Sequence, residues 1–192
     1  KYFFIKEICM HKKVLSEIAL YYGDVSMPQN FEIQRGSLIL DGVESELSNT
    51  KLKFSREWDK LTTYITEHIN IKYDLALINK DTWTNTYKPN EQTIPLLNVN
   101  PIDLYNSPDF TLLYGLKTDD CVVTIYYDDN RKKGRSWNIE LTDNKFIMFP
   151  STCTYYLKNN QREELNYVLT TTYILLKKWI NILFLITGIG KT

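Results

Sequence analysis

From Tyr73 onward the apolar side chains change their spacing, and this change constrains the fold more than any other feature of the 192 residues. Leu75, Leu77, Trp83, Asn85 and Tyr87 alternate with polar neighbours, which is the period of a strand with one buried face. Short aromatic and β-branched runs follow at 110–116, 122–127, 137–141, 146–149, 155–157 and 167–176, with turn residues between them. The stretch from Asp128-Asp129-Asn130 to Gly134 reads as a hairpin turn. Upstream the spacing is helical. Val14, Leu15, Ile18, Tyr21 and Tyr22 predict a first helix stopped by Gly23. Phe54, Trp58, Leu61, Ile65 and Ile69 line one face of a second helix, for which Ser55 is a suitable cap. Residues 24–46 read as a long connector, because Pro28 and Gly36 argue against a central strand around Ser37-Leu38-Ile39-Leu40. An aromatic stretch at 2–9 suits another strand. Regular short strands after two helices predict an α+β, mainly β architecture: a jelly roll with two N-terminal helices packed on one sheet.

A chain of this length, 43% hydrophobic, fits one well-cored domain. Its parts are a helical region at 1–72, a jelly-roll core at 73–176 and an apolar C-terminal segment at 177–192. Basic and acidic side chains number 23 each, which removes the charge excess expected of a nucleic-acid binder. Arg131-Lys132-Lys133-Gly134-Arg135 then reads as a solvated hairpin tip. Cys9, Cys121 and Cys153 lack zinc or redox spacing and read as buried free thiols. No signal-peptide pattern is seen at the start. The apolar run at 179–186 falls far below the ~20 residues that span a bilayer. It is expected to dock against other protein subunits through Trp179, Ile182, Phe184 and Leu185, rather than against a membrane.

Familiar catalytic patterns are missing. The chain has two histidines, His11 and His68, both in the N-terminal third, so no Ser-His-Asp or Cys-His arrangement is plausible. Gly188-Ile189-Gly190-Lys191-Thr192 imitates the end of a phosphate-binding loop, but Leu185 stands where its first glycine belongs. Asp119-Asp120 and Asp128-Asp129 lack calcium-loop spacing and read as turns.

Three landmarks remain: Trp83-Thr84-Asn85-Thr86-Tyr87-Lys88-Pro89, Asn98-Val99-Asn100-Pro101 and Phe149-Pro150-Ser151. In this order they resemble the phage-type 2-oxoglutarate/iron(II) oxygenases over about 81–172. The resemblance implies a double-stranded β-helix, with Leu113-Tyr114-Gly115-Leu116 or Thr124-Ile125-Tyr126-Tyr127 supplying a further family strand. It also implies where ligands belong. The family's His-x-His-Pro pair falls on Asn98 and Asn100, or on Leu96 and Asn98 without gaps. The last histidine falls on Tyr155, and the arginine that clamps 2-oxoglutarate falls on Leu165, with Arg162 displaced before Glu163-Glu164.

Iron(II) sites of this kind take two imidazoles and a carboxylate. An asparagine carbonyl is a weak substitute, and a phenol with a pKa near 10 is a poor ligand for iron(II) at neutral pH. The expectation is therefore a non-enzyme with no cofactor: a jelly-roll subunit built on an oxygenase scaffold, acting by protein–protein contact in a virus or phage particle or in the host cytoplasm. One alternative is an iron(II)/2-oxoglutarate hydroxylase with an unorthodox site around Asn98, Asn100, Asp103 and Tyr155. The other is a carbohydrate- or ligand-binding jelly roll using Trp83 and nearby tyrosines. Trp83 and Tyr87 are expected to fill the core.

Overall fold

The computed structural model describes residues 18–25, 34–48, 56–128 and 134–176. The strand expected at 2–9, His11, the apolar C-terminal segment and the glycine-lysine tail lie outside the described residues.

Helix α2, Arg56–Tyr73, follows from its pattern. Trp58, Leu61, Ile65 and Ile69 are all but completely buried, and each such burial stabilises the fold by about 1.5–3 kcal/mol. The hydroxyls of Thr62 and Thr66 donate to carbonyls one turn back, at 2.9 and 2.7 Å. His68 sits half-buried, stacked beside Tyr64.

Two N-terminal expectations need correction. Tyr21 and Tyr22 are not helical; they begin strand β1, Tyr21–Asp24, which pairs antiparallel with the later strand β6, Lys145–Pro150. The Tyr21 ring packs between Tyr73, 4.8 Å away, and Phe110, 6.1 Å away, so a tertiary partner overrides the helical spacing. The supposed connector also contains helix α1, Arg35–Ser48. This helix buries Leu38 and Gly42 while Leu40 and Leu47 remain exposed, so its apolar face is too narrow to read from sequence. A side chain at Gly42 would stand 2.2 Å from the Thr84 hydroxyl, and glycine is what allows the helix so close to the sheet.

The remaining strands follow the sequence closely: β2 Leu77–Tyr87, β3 Phe110–Lys117, β4 Cys121–Asp128, β5 Arg135–Glu140, β7 Thr154–Asn159 and β8 Asn166–Leu175. They form a five-stranded sheet, β1-β6-β3-β8-β2, and a three-stranded sheet, β5-β4-β7, with antiparallel pairing throughout. Single bridges from Gln92 to Lys158 and from Leu96 to Tyr155 lay the segment after β2 along β7.

Side chains from both sheets, including Leu113, Val123, Ile147, Leu157 and Val168, meet in one apolar cluster. The opposite face of the larger sheet packs Leu112, Tyr114, Phe146, Met148 and Tyr173 against Trp58, Leu61 and Leu38 of the helices. This is a double-stranded β-helix with both helices on the larger sheet. No helix among the described residues is long and apolar enough to cross a membrane.

Candidate functional site

The site lies where the segment after β2 crosses from one sheet toward the other. Leu96 and Tyr155 exchange two main-chain hydrogen bonds, of 2.7 and 3.0 Å, and this fixes Asn98 two residues further on. The Asn98 amide donates to the Tyr155 hydroxyl at 3.0 Å and to the Thr111 hydroxyl at 3.1 Å. Thr111 in turn shares a hydrogen bond of 2.8 Å with Ser151, and the Ser151 main-chain N–H donates to the Asp109 carbonyl at 2.9 Å. Thr111 and Ser151 are fully buried, so these bonds satisfy groups that would otherwise be costly to desolvate. The ring of Tyr155 meets Phe149 edge-on at 5.0 Å. Burial pushes the Tyr155 phenol above its ordinary pKa, only partly opposed by the Asn98 N–H, so it stays protonated at neutral pH.

Beside this network a pocket of about 360 Å³ opens between Lys80, Asp81, Trp83, Asn98, Asn100 and Asp103, closed by Asn106-Ser107-Pro108 and Thr172. Lys80 owes its place to a β-bulge. Asn79 pairs with Tyr173 and Asp81 with Thr172, which leaves Lys80 as the extra residue of β2. Bulges of this kind re-aim a side chain. The Lys80 ammonium donates to the Asn106 carbonyl.

The facing loop is braced internally. Asn106 donates to both Asp103 carboxylate oxygens, from its main-chain N–H at 3.2 Å and its side-chain amide at 2.8 Å. The Asn100 N–H donates to the Ser107 hydroxyl at 2.8 Å, and that hydroxyl donates to the Asp103 carbonyl at 2.9 Å. The Asn106 bonds, with help from nearby Lys80, hold the Asp103 carboxyl below the usual carboxylate range.

The structure therefore brings Asn98 and Tyr155 into direct contact and gathers Asn98, Asn100 and Asp103 on one pocket. Leu165 is elsewhere. It precedes the end of β8 that pairs with Tyr87, roughly 20 Å along the strand from Thr172 at ~3.3 Å per residue. Arg162 is exposed in the same turn, and Glu164 pairs with Lys117 at 3.2 Å. Tyr87 is in the core as expected, whereas Trp83 is half-buried and forms pocket wall. Lys80 and Asp81 were not anticipated as pocket residues; the one hint in the sequence is the adjacent Lys-Asp pair interrupting the alternation of β2.

These side chains do not fit an iron(II) centre made of two imidazoles and a carboxylate. The Asn98 amide is bonded to Tyr155 and Thr111, the Tyr155 phenol is protonated, and no histidine stands at either position. Among the described residues no three His, Cys, Asp or Glu side chains group together as a metal site.

No family model matches the chain, and no curated protein matches its sequence. Solved structures do share its fold. A prolyl-4-hydroxylase from Pseudomonas putida superposes with a TM-score of 0.57 at 13% identity, covering 82% of this chain and 88% of the other. A viral collagen prolyl hydroxylase from Paramecium bursaria Chlorella virus 1, solved with 2-oxoglutarate, gives 0.55 at 15% identity, covering 82% and 96%. SnoN, a non-haem α-ketoglutarate-dependent epimerase of nogalamycin biosynthesis, gives 0.56 at 10% identity, covering 91% and 87%.

The chain thus has the double-stranded β-helix fold of the 2-oxoglutarate/iron(II) oxygenases, with low identity matching its degenerate motif positions. These neighbours correct the expectation of a non-enzyme without cofactors. All three of these structures are of enzymes, and two of them are described with 2-oxoglutarate or a dependence on α-ketoglutarate.

Proposed function

We propose that the chain is an enzyme of the 2-oxoglutarate/iron(II) oxygenase class, a hydroxylase with an unorthodox site at the pocket around Asn98, Asn100 and Asp103. The observation that carries this reading is the pocket's place: in an oxygenase-type β-helix it opens between β2, β8 and the segment after β2, on the motif residues Trp83, Asn98 and Asn100. Concave sites with a few convergent polar groups are the usual setting for small-ligand chemistry. Trp83 and Pro108 provide apolar wall. Lys80 provides a cation on a β-bulge, away from the position of Leu165. The Asn98–Tyr155 hydrogen bond holds the rim in register with β7. Contacts with other protein subunits through Trp179, Ile182, Phe184 and Leu185, and a place in a virion or host cytoplasm, belong to this proposal as well.

The test is 2-oxoglutarate consumption and succinate release by the purified chain, with iron(II) titrated upward. Oxygen-donor sites favour hard cations over iron(II), so the iron requirement is expected to lie well above that of a site with two imidazoles. Turnover that depends on the chain and on iron, and that falls in Asn98→Leu, supports the reading. No difference from buffer with iron at any concentration overturns it. The second reading, a ligand-binding jelly roll, is favoured by one observation: the motif's imidazole positions carry an amide and a phenol bonded to each other.

A further inference from the structure

A second pocket, of about 230 Å³, opens between the two sheets on the side of β5 and the segment that leads into β1. It continues the inter-sheet core, since Ile125, Phe149 and Cys153 belong to that apolar cluster and line the pocket as well. Tyr127 and Trp137, 40% and 39% exposed, carry the lining out to solvent. Both rings are held in place. Trp137 stands opposite Ile125 in the register of β4 and β5 and meets the Tyr22 ring edge-on at 5.3 Å. Tyr126 pairs with Ser136 and Asp128 with Arg135, which makes Tyr127 the extra residue of a β-bulge. Lys80 has the same kind of position beside the first pocket. Bulges are common beside functional sites because they re-aim a side chain.

The lining indicates what this pocket takes. None of its residues is charged, and Ile18 and Leu20 add further apolar wall. Burial raises the Cys153 thiol above its ordinary pKa, so no thiolate stands there at neutral pH. A charged ligand would lose its hydration here without gaining a partner. Size narrows the choice further. Apolar cavities of about 150 Å³ stay dry and hold benzene, so the larger volume here suits two fused rings. Three aromatic side chains line the pocket, and ring–ring contacts are worth more than the area they bury. We propose that this pocket binds an uncharged aromatic small molecule, of about the size of indole, among Tyr127, Trp137 and Phe149. Binding there requires neither iron nor 2-oxoglutarate, so it stands or falls apart from the proposed hydroxylation.

The test is isothermal titration calorimetry on the whole chain, with indole as the probe. Indole-3-acetate tests the effect of charge, and n-octanol tests an aliphatic chain in place of the rings. Indole should bind one to one with a Kd on the order of 0.1–1 mM, as expected of so small a ligand. Indole-3-acetate and n-octanol should each bind about tenfold or more weakly. Tyr127→Ala removes one wall, and Ile18→Trp adds bulk at the opening; each should weaken indole about tenfold or more. Both positions are partly exposed, and circular dichroism of both variants should match the parent chain. Tyr105→Ala, at an exposed ring that does not line this pocket, should leave indole binding unchanged.

No saturable binding of indole overturns the proposal; residues preceding Ile18, seated over Tyr127 and Trp137, would give that result. Undiminished binding in both Tyr127→Ala and Ile18→Trp also overturns it, because the ligand would then sit elsewhere. Indole-3-acetate or n-octanol binding as tightly as indole overturns the ligand class. Indole binding that is lost in the two pocket variants and kept in Tyr105→Ala supports the proposal, whether or not the chain consumes 2-oxoglutarate.

Discussion

The two faces of the five-stranded sheet are both buried, but they are buried differently. The face under the helices is mostly apolar, with Leu112, Phe146, Met148 and Tyr173 meeting Leu38, Trp58, Leu61, Ile65 and Ile69, and its few polar groups are scattered threonines such as Thr84 and Thr171. The face turned toward the smaller sheet begins the same way, with Leu113, Ile147 and Val168, and then changes character at one end. There Thr111 and Ser151, both fully buried, continue through Asn98 to Tyr155 by hydrogen bonds. An apolar layer needs only shape, whereas a buried polar cluster must have each group partnered. The helix-covered face therefore stabilises the fold. The polar end of the other face positions the pocket.

If that division holds, truncation under the helices should be the most damaging change to stability. Phe146→Ala is expected to cost about 3–5 kcal/mol, read as a lowered urea midpoint with an unchanged slope. A loss below about 1 kcal/mol would mean that the helical layer is loosely packed and that the contrast between the faces is wrong.

A smaller effect should report on the helix-covered face through pH. Burial raises the phenol of Tyr173, under the helices, to about 12, only partly offset by its hydrogen bond of 3.0 Å with Thr66. Tyr114, on the same face and bonded to Asn144 at 2.9 Å, is also raised to about 12 by burial. A phenol whose folded pKa lies above the unfolded value near 10 favours folding while protonated. That contribution is complete below pH 10 and is lost as the pH rises toward 12. Tyr173 alone accounts for a loss on the order of 2 kcal/mol across this window, at 1.36 kcal/mol per pKa unit. Tyr173→Phe should flatten the alkaline decline measured by thermal unfolding between pH 9 and 11.5; an unchanged decline would place its origin at another buried phenol, Tyr114 on the same face or Tyr87 and Tyr155 on the other.

The same contrast explains what the sequence disclosed. Strands β2 to β8 were legible because each is a run of aromatic and β-branched residues bounded by turn residues. Burial on both faces of β3, whose pattern is nearly continuous, obscures only its alternation. The α2 stripe was legible because Trp58, Leu61, Ile65 and Ile69 repeat at one spacing. Helix α1 was not, since its docking depends on an absent side chain at Gly42 rather than on an apolar stripe. Strand β1 was hidden because Tyr21 is placed by Tyr73 and Phe110, partners far away in sequence. The site divided in the same way. Asn98, Asn100 and Tyr155 could be found from motif spacing, but a β-bulge has no reliable sequence mark, and it is the bulge that turns Lys80 into the pocket. Leu165 shows the converse: motif spacing selected it, and strand geometry places it far from the pocket.

The finest test concerns one of the two bonds that join Asn98, at the pocket, to the polar end of the inner face. Tyr155→Phe keeps the ring against Phe149 and removes only the hydroxyl that accepts from Asn98. Global stability should fall by about 0.5–1.5 kcal/mol, less than at Phe146, because Asn98 keeps its bond to Thr111. The local effect should be larger than the global one. Leu96 and Tyr155 are tied by main-chain bonds that depend on this segment staying against β7, so the Leu96 amide should exchange faster while amides of α2 are unaffected. Uniformly faster exchange across both faces would show that the polar cluster is simply part of the core. Faster exchange confined to the segment around Leu96 and Asn98 would show that it is a separate unit, stabilised by its own hydrogen bonds, whose job is to hold the pocket wall in place.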